Sequence, residues 1–172
     1  QLSTLAQPNA TLIKEKDDLS RLELAALFMR DKSSDSVSGL RREMNETMES
    51  GAGIFRSADS LNETCRTIAD IRERFNGVAL EDKSSVYNTD LIQTLELKAM
   101  IEVAEAIALS ARHRTESRGS HQRLDFPERD DEKFLKHSLI QYRGGDEPTI
   151  DYVDVVITKS QPAQRVYGGD KS

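Results

Sequence analysis

The residues of this sequence best equipped for chemistry crowd into one stretch, Arg112–His137, RHRTESRGSHQRLDFPERDDEKFLKH. Arg112, Arg114, Arg118, Arg123 and Arg129, with Arg143 just beyond, stand among Glu116, Asp125, Glu128, Asp130, Asp131 and Glu132. An unpaired buried charge is strongly destabilising, so such a run enters a core only if every charge has a partner. Planar guanidiniums match carboxylates fork to fork. The alternation therefore predicts an ion-pair lattice that pins an irregular segment against another surface. Arg114, Arg118, Arg123 and Arg129 are also suitable groups for clamping a dicarboxylate or a phosphate, although the flanking acids already offer them partners.

All three histidines of the chain, His113, His121 and His137, fall inside the stretch. Their spacings of eight and sixteen, with no cysteine nearby, do not match ligands carried on a rigid element at i and i+4. Hydrogen-bonded loop histidines are the expectation. Ser117 or Ser120 beside His121 lacks the strand-to-helix elbow of a nucleophile. Glu128, Asp130 and Asp131 lack the glycine and acid spacing of a calcium loop and read as salt-bridge partners. No GxGxxG follows a strand, so no dinucleotide site is expected, and Gly144-Gly145 and Gly168-Gly169 read as turns.

The elements that must position this stretch follow from periodicity. Residues 1–9 read as a linker. Ile13, Leu19, Leu22, Ala26 and Met29, widened by Leu24, Leu27 and Phe28, predict an amphipathic helix over 10–32. Val37, Leu40, Met44 and Met48 predict a second helix from Ser36 to Gly51. Ser57 is the expected N-cap of a third, with Leu61, Cys65, Ile68, Ile71 and Phe75 as its buried stripe and Asn76-Gly77 as a left-handed stop. Cys65 on that stripe reads as a core thiol. Asn88 caps a fourth helix, 89–112, that is apolar nearly all round apart from Lys98, Glu102 and Glu105, and so is expected to be covered on most sides. Residues 137–143 and 149–158 predict a hairpin with a bulge at Tyr152–Val153, lying on another element, before an extended tail. The fold class is mainly α: a spectrin-repeat-like bundle of three to four helices, then a charged irregular segment, a small β-hairpin and a tail. The expected divisions are 1–34, 35–114 and 115–172.

Composition narrows the partners. A net charge of −6 argues against non-specific nucleic-acid binding. With 31% charged and 37% hydrophobic residues, the core is modest. The single cysteine allows no internal disulfide and suits a reducing compartment. No apolar run reaches bilayer length and no signal peptide is visible. The first residue is Gln1 rather than Met, which suggests a fragment or a processed chain.

Arg114-Thr-Glu-Ser-Arg-Gly-Ser-His121, Arg123-Leu-Asp-Phe-Pro-Glu-Arg-Asp-Asp131 and Lys136-His137 resemble the C-terminal region of the flavoprotein subunit of succinate dehydrogenase and fumarate reductase. The resemblance extends back through Ser85-Val-Tyr-Asn-Thr-Asp-Leu91 and Gly51-Ala-Gly-Ile-Phe-Arg56, and forward to Arg165-Val-Tyr-Gly-Gly169. It implies an FAD-dependent oxidoreductase interconverting succinate and fumarate, with this chain a C-terminal helical domain that is not catalytic by itself. FAD is implied in the full-length subunit and none in this piece. The implied partners are the upstream flavin-binding and capping domains, an iron–sulfur subunit and, indirectly, membrane anchor subunits, with no nucleic acid. The implied location is cytoplasmic, peripheral to the inner face of the membrane. No catalytic, cofactor or metal residue is carried over. Arg114, Glu116, Arg118, His121, Arg123, Asp125, Arg129, Asp130, Asp131 and Lys136 are the expected domain and subunit interface. Phe134 stands where many relatives carry Trp. Two other readings are a free-standing helical interaction module and the tail of an L-aspartate oxidase-like flavoenzyme, although such oxidases typically lack the Arg-Asp-Asp and Lys-His block.

Overall fold

The computed structural model describes residues 10–31, 34–142, 148–160 and 162–163. The linker 1–9, Arg143, Gly144-Gly145 and the segment 165–169 lie outside the described residues. In chain order the elements are α1 (Ala10–Met29), α2 (Val37–Ala52), β1 (Phe55–Arg56), α3 (Ala58–Phe75), α4 (Thr89–His113), β2 (Gln122–Arg123), α5 (Asp131–Phe134), β3 (Lys136–Gln141) and β4 (Thr149–Asp154). The protein is thus mainly α with a small β tail.

Helices α3 and α4 begin at the expected caps, Ser57 and Asn88, and α2 is capped by Ser36, the residue at which the second helix was expected to start. Ser36 accepts from the Gly39 amide and Asn88 from that of Leu91. Ser57 and Ser60 satisfy each other's amides in a capping box. Each such cap is worth about 1 kcal/mol. The helices close on Val37, Leu40, Met44, Ile68, Ile71, Phe75, Val78, Leu97, Ile101 and Ala104. Ala52, Leu61 and Ala111 form a smaller cluster. Gly51 permits close approach of α2 and α3, because a β-carbon there would collide with the Thr64 hydroxyl. Thr64 is buried and Cys65 is only half-buried, so the inward stripe of α3 runs through the threonine. Burial raises the Cys65 thiol above its ordinary value.

Four expectations about these elements need correction. The first helix, in which the side chain of Ile13 lies outside the described residues, buries Leu27, while Leu19, Leu22 and Met29 are 53%, 66% and 81% exposed, because among the described side chains α1 meets the bundle through its C-terminal half. There Arg30 donates to the Val78 carbonyl and Lys83 to those of Leu27 and Arg30. The fourth helix is covered along one face only: Ile92, Leu95, Val103 and Ile107 are exposed. Its Glu105, assigned to a polar stripe, is buried, where Arg72 donates to it at 2.9 Å and the Tyr142 hydroxyl at 2.9 Å. The end of α3 is not left-handed. Asn76 has φ −60°, and its amide bonds back to the last turn.

The hairpin pairs Lys136 with Asp154 through Gln141 with Thr149 in unbroken antiparallel register. No bulge interrupts it, and β4 stops at Asp154 rather than 158. The phase change at Tyr152–Val153 is absorbed by exposure, since both side chains of that pair reach solvent. The hairpin does rest on other elements. Phe134 meets the Tyr152 ring edge-on at 6.0 Å, and the Tyr142 hydroxyl reaches the Glu102 carbonyl on α4. Burial, then the hydrogen bond to Glu105, pushes the Tyr142 phenol up to about 12. Among the described residues no helix is long and apolar enough to cross a membrane.

In this 172-residue chain, Leu61→Ala is expected to lower stability by about 2–5 kcal/mol, because Leu61 is fully buried. Leu22→Ala should stay within about 0.5 kcal/mol. Chemical unfolding of the two variants checks the contrast. A large loss at Leu22 would contradict the exposed face of α1.

Candidate functional site

The stretch after α4 folds around one carboxylate. Glu116 is 0% exposed. Its Oε1 accepts from Arg114 Nη1 at 2.5 Å and Arg118 Nε at 2.8 Å. Its Oε2 accepts from Arg118 Nη2 at 2.9 Å and the Asp130 amide at 2.8 Å. Burial pushes this carboxyl up, but the donations from Arg118, Asp130 and Arg114 outweigh it and hold the group below its ordinary value. Arg114 continues past Glu116 to the carbonyls of Phe134 and Lys136 and lies 5.3 Å over the Phe134 ring. Arg118 also reaches Asp131, whose other oxygen accepts from Arg129 at 2.6 Å. Asp130 caps α5 through the Lys133 amide.

A second pair ties this loop to the bundle. Arg123, 2% exposed, grips Asp125 with Nε and Nη2, both at 2.7 Å. Its Nη1 donates to the carbonyls of Ala111, Arg112 and Arg114, so a cation sits at the C-terminal end of α4, where the helix dipole favours it. Asp125 also accepts the Ala58 amide at 2.9 Å, the first of α3. The Arg123 hydrogen bond is the main cause that holds the Asp125 carboxyl far below the usual carboxylate range. Arg123 also stacks over Phe126 at 4.9 Å.

His121 is the hinge between the loop and β1. Arg56 Nη1 donates to His121 Nδ1 at 2.7 Å, and His121 Nε2 faces the Arg114 carbonyl at 3.1 Å. Because a guanidinium can only donate, the ring is neutral with its proton on Nε2. Burial lowers its pKa first, and the charges of Arg56, Arg123 and Arg114 lower it further. Beside it β1 and β2 pair in parallel, Phe55 with Gln122 and Arg56 with Arg123. Gly119, at φ 60°, makes the turn between the bridged residues Arg118 and His121.

Of the ten expected interface residues, the structure joins nine in this network and leaves Lys136 at its edge, 3.9 Å from Asp154. Ser117, read first as a poor nucleophile, is a buried fastener. Its hydroxyl accepts the Arg123 amide and donates to the Phe126 carbonyl. Arg114, Arg118, Arg123 and Arg129 are turned onto carboxylates and carbonyls of this chain. Arg56 was missed as a site residue, although it lay inside the stretch Gly51–Arg56 that carried the resemblance. Arg72 and Tyr142 gave no local signal, because Glu105 gathers them from distant segments. Among the described residues no group of three His, Cys, Asp or Glu side chains is placed to hold a metal ion.

Glu116→Ala would strip Arg114 of its carboxylate partner and leave Arg118 only Asp131, and is expected to remove about 3–5 kcal/mol. Denaturant unfolding of the variant checks it, and a loss below about 1 kcal/mol would show that water replaces the carboxylate. The neutral His121 should add an acid limb to the stability profile. Its contribution is full above the ordinary histidine value of 6.5 and is lost as pH falls through the lowered folded value. His121→Gln should flatten the profile just below pH 6.5. An unchanged limb would place its origin elsewhere.

Known proteins share both the sequence and the shape. A family model described as fumarate reductase flavoprotein C-term matches residues 41–167. The fumarate reductase flavoprotein subunit of Haemophilus influenzae is 46% identical over 155 residues, covering 90% of this chain and 25% of the relative. That of Escherichia coli K12 is 49% identical over 134 residues, covering 76% and 22%. A solved E. coli quinol fumarate reductase FrdA chain superposes with a TM-score of 0.87 at 40% identity, covering 98% of this chain and 29% of that one. The chain spans about a quarter of the length of these curated relatives. The buried Glu116 and its arginines, the bundle beneath them and the matched segment 41–167 coincide, and the chain belongs to the fumarate reductase flavoprotein C-terminal family.

Proposed function

We propose that this chain is the C-terminal domain of a flavoprotein subunit that interconverts succinate and fumarate. Its role is to support the flavin domain and hold the subunit in its complex. The observation that carries this reading is the inward pairing of the lattice. A loop whose charges are satisfied within the chain is rigid, and it fixes the outward side chains beside it. Leu124 and Phe126 on that loop, with Phe55 in β1 and Ile54 before it, are exposed apolar side chains, and backbone bonds from Gln122 to Ile54 and from Leu124 to Arg56 hold the two segments together. Exposed apolar side chains fixed beside a buried lattice suit an interface more than a solvent face. The interface role expected of Arg114–Lys136 then belongs to the loop they shape, with Arg129, Asp131 and Lys136 at its margin.

FAD is the cofactor of the full-length subunit in this reading. Among the described residues no strand, glycine-rich turn and helix follow one another in the manner that holds a dinucleotide, so the residues do not fit FAD and no flavin step is assigned to them. The partners are the upstream flavin-binding and capping domains, an iron–sulfur subunit and, through it, membrane anchors. The location is peripheral to the inner face of a membrane.

Arg118→Ala, made in the full-length subunit, is expected to cut both flavin bound per polypeptide and recovery of the iron–sulfur subunit on co-purification. Wild-type values for both would sink the assembly role.

A further inference from the structure

Among the described residues Tyr87 is the non-glycine residue with positive φ, at 54°. The residue is 96% exposed, and its neighbour Val86 is 66% exposed. Glycine and asparagine adopt this backbone with little strain, whereas a bulky side chain resists it. An exposed polar turn would have no use for tyrosine here.

The loop around it is firmly built. Asp82 accepts the Ser84 amide at 2.7 Å and its hydroxyl at 3.0 Å. Asn88 donates to the carbonyls of Asp82 at 2.8 Å and Ser84 at 2.9 Å, bridging the ends of the turn while its oxygen caps α4. Asp90 accepts the amides of Glu81 and Asp82. Lys83 is drawn away to the carbonyls of Leu27 and Arg30 at the end of α1. Apart from Lys83, the charged side chains from Glu81 to Asp90 are the acids Glu81, Asp82 and Asp90, the last two of which also accept bonds from the loop. Backbone strain held in place by surrounding bonds points to function rather than slack. A tyrosine with two rotatable bonds loses little entropy on docking.

We infer that Val86 and Tyr87 form a docking anchor that inserts into an apolar pocket rimmed by lysine or arginine on the preceding portion of the same polypeptide. This rests on the reading of the chain as part of a longer flavoprotein subunit. The choice of occupant follows from length and connection. The chain spans about a quarter of its relatives, and Lys83 ties the loop to α1, the helix that precedes the bundle. A tethered partner meets the anchor at high effective concentration, so two residues suffice. A separate chain would need about 1,000 Å² of further contact.

The test is nitration of the full-length subunit with tetranitromethane, alone and in its complex, followed by peptide mapping of Tyr87. Protection in the subunit alone is expected. Protection only in the complex would move the anchor to another subunit and overturn the assignment, and reactivity in both would remove the anchor altogether. Tyr87→Asn provides a second readout, because asparagine relieves the backbone. The midpoint of thermal unfolding of the full-length subunit is expected to fall despite that relief, and a rise would overturn the proposal. Flavin absorbance of the same preparation checks the underlying reading separately. A colourless protein with a protected Tyr87 would discard the flavoprotein reading while supporting the anchor.

Discussion

Glu116 is fully buried, and a carboxylate there is tolerable only because four donors converge on its two oxygens. Three of those donors belong to two arginines that continue outward, Arg114 to the hairpin and Arg118 to the first residue of α5. Removing the acid would leave Arg114 half-enclosed with no carboxylate partner and Arg118 with Asp131 alone. The segment from Arg114 to Lys136 has little regular structure of its own, so its shape depends on this one centre. The hairpin depends on it in turn, through the Arg114 bonds to the Phe134 and Lys136 carbonyls.

The bundle and the loop are joined by Arg123 and Asp125. The guanidinium closes the C-terminal end of α4, and the carboxylate accepts the first amide of α3. One ion pair thus satisfies the exposed backbone groups of two helices, of opposite polarity, with the charges that each helix dipole favours. His121 adds a neutral link to Arg56 beside the two-residue parallel pairing. These contacts make the loop an extension of the bundle.

The outer surfaces carry a different message. Ile92, Leu95, Val103 and Ile107 recur along the exposed side of α4, and Leu19, Leu22 and Met29 along α1. A helix apolar on several faces is ordinarily enclosed. The relatives are about four times as long as this chain, so most of a full-length relative lies outside it.

Local physics explains what the residues alone determined. Helix periods and caps lie within a few residues of one another, so α2, α3 and α4 were legible with Ser36, Ser57 and Asn88 at their starts. The charged stretch was legible as an ion-pair lattice because forks and carboxylates alternate within it. Which charge lay at the centre was not legible. Glu116 differs from Glu128 only through contacts made by Asp130 and the arginines after folding. The Arg72–Glu105–Tyr142 cluster, the pairing of β1 with β2 and the one-sided cover of α4 all join residues far apart in the chain. Nor was the regular register of the hairpin visible, because pairing across two strands overrode the phase change in one. Periodicity and spacing are local, whereas burial and partner choice are set by which segments the tertiary fold brings together.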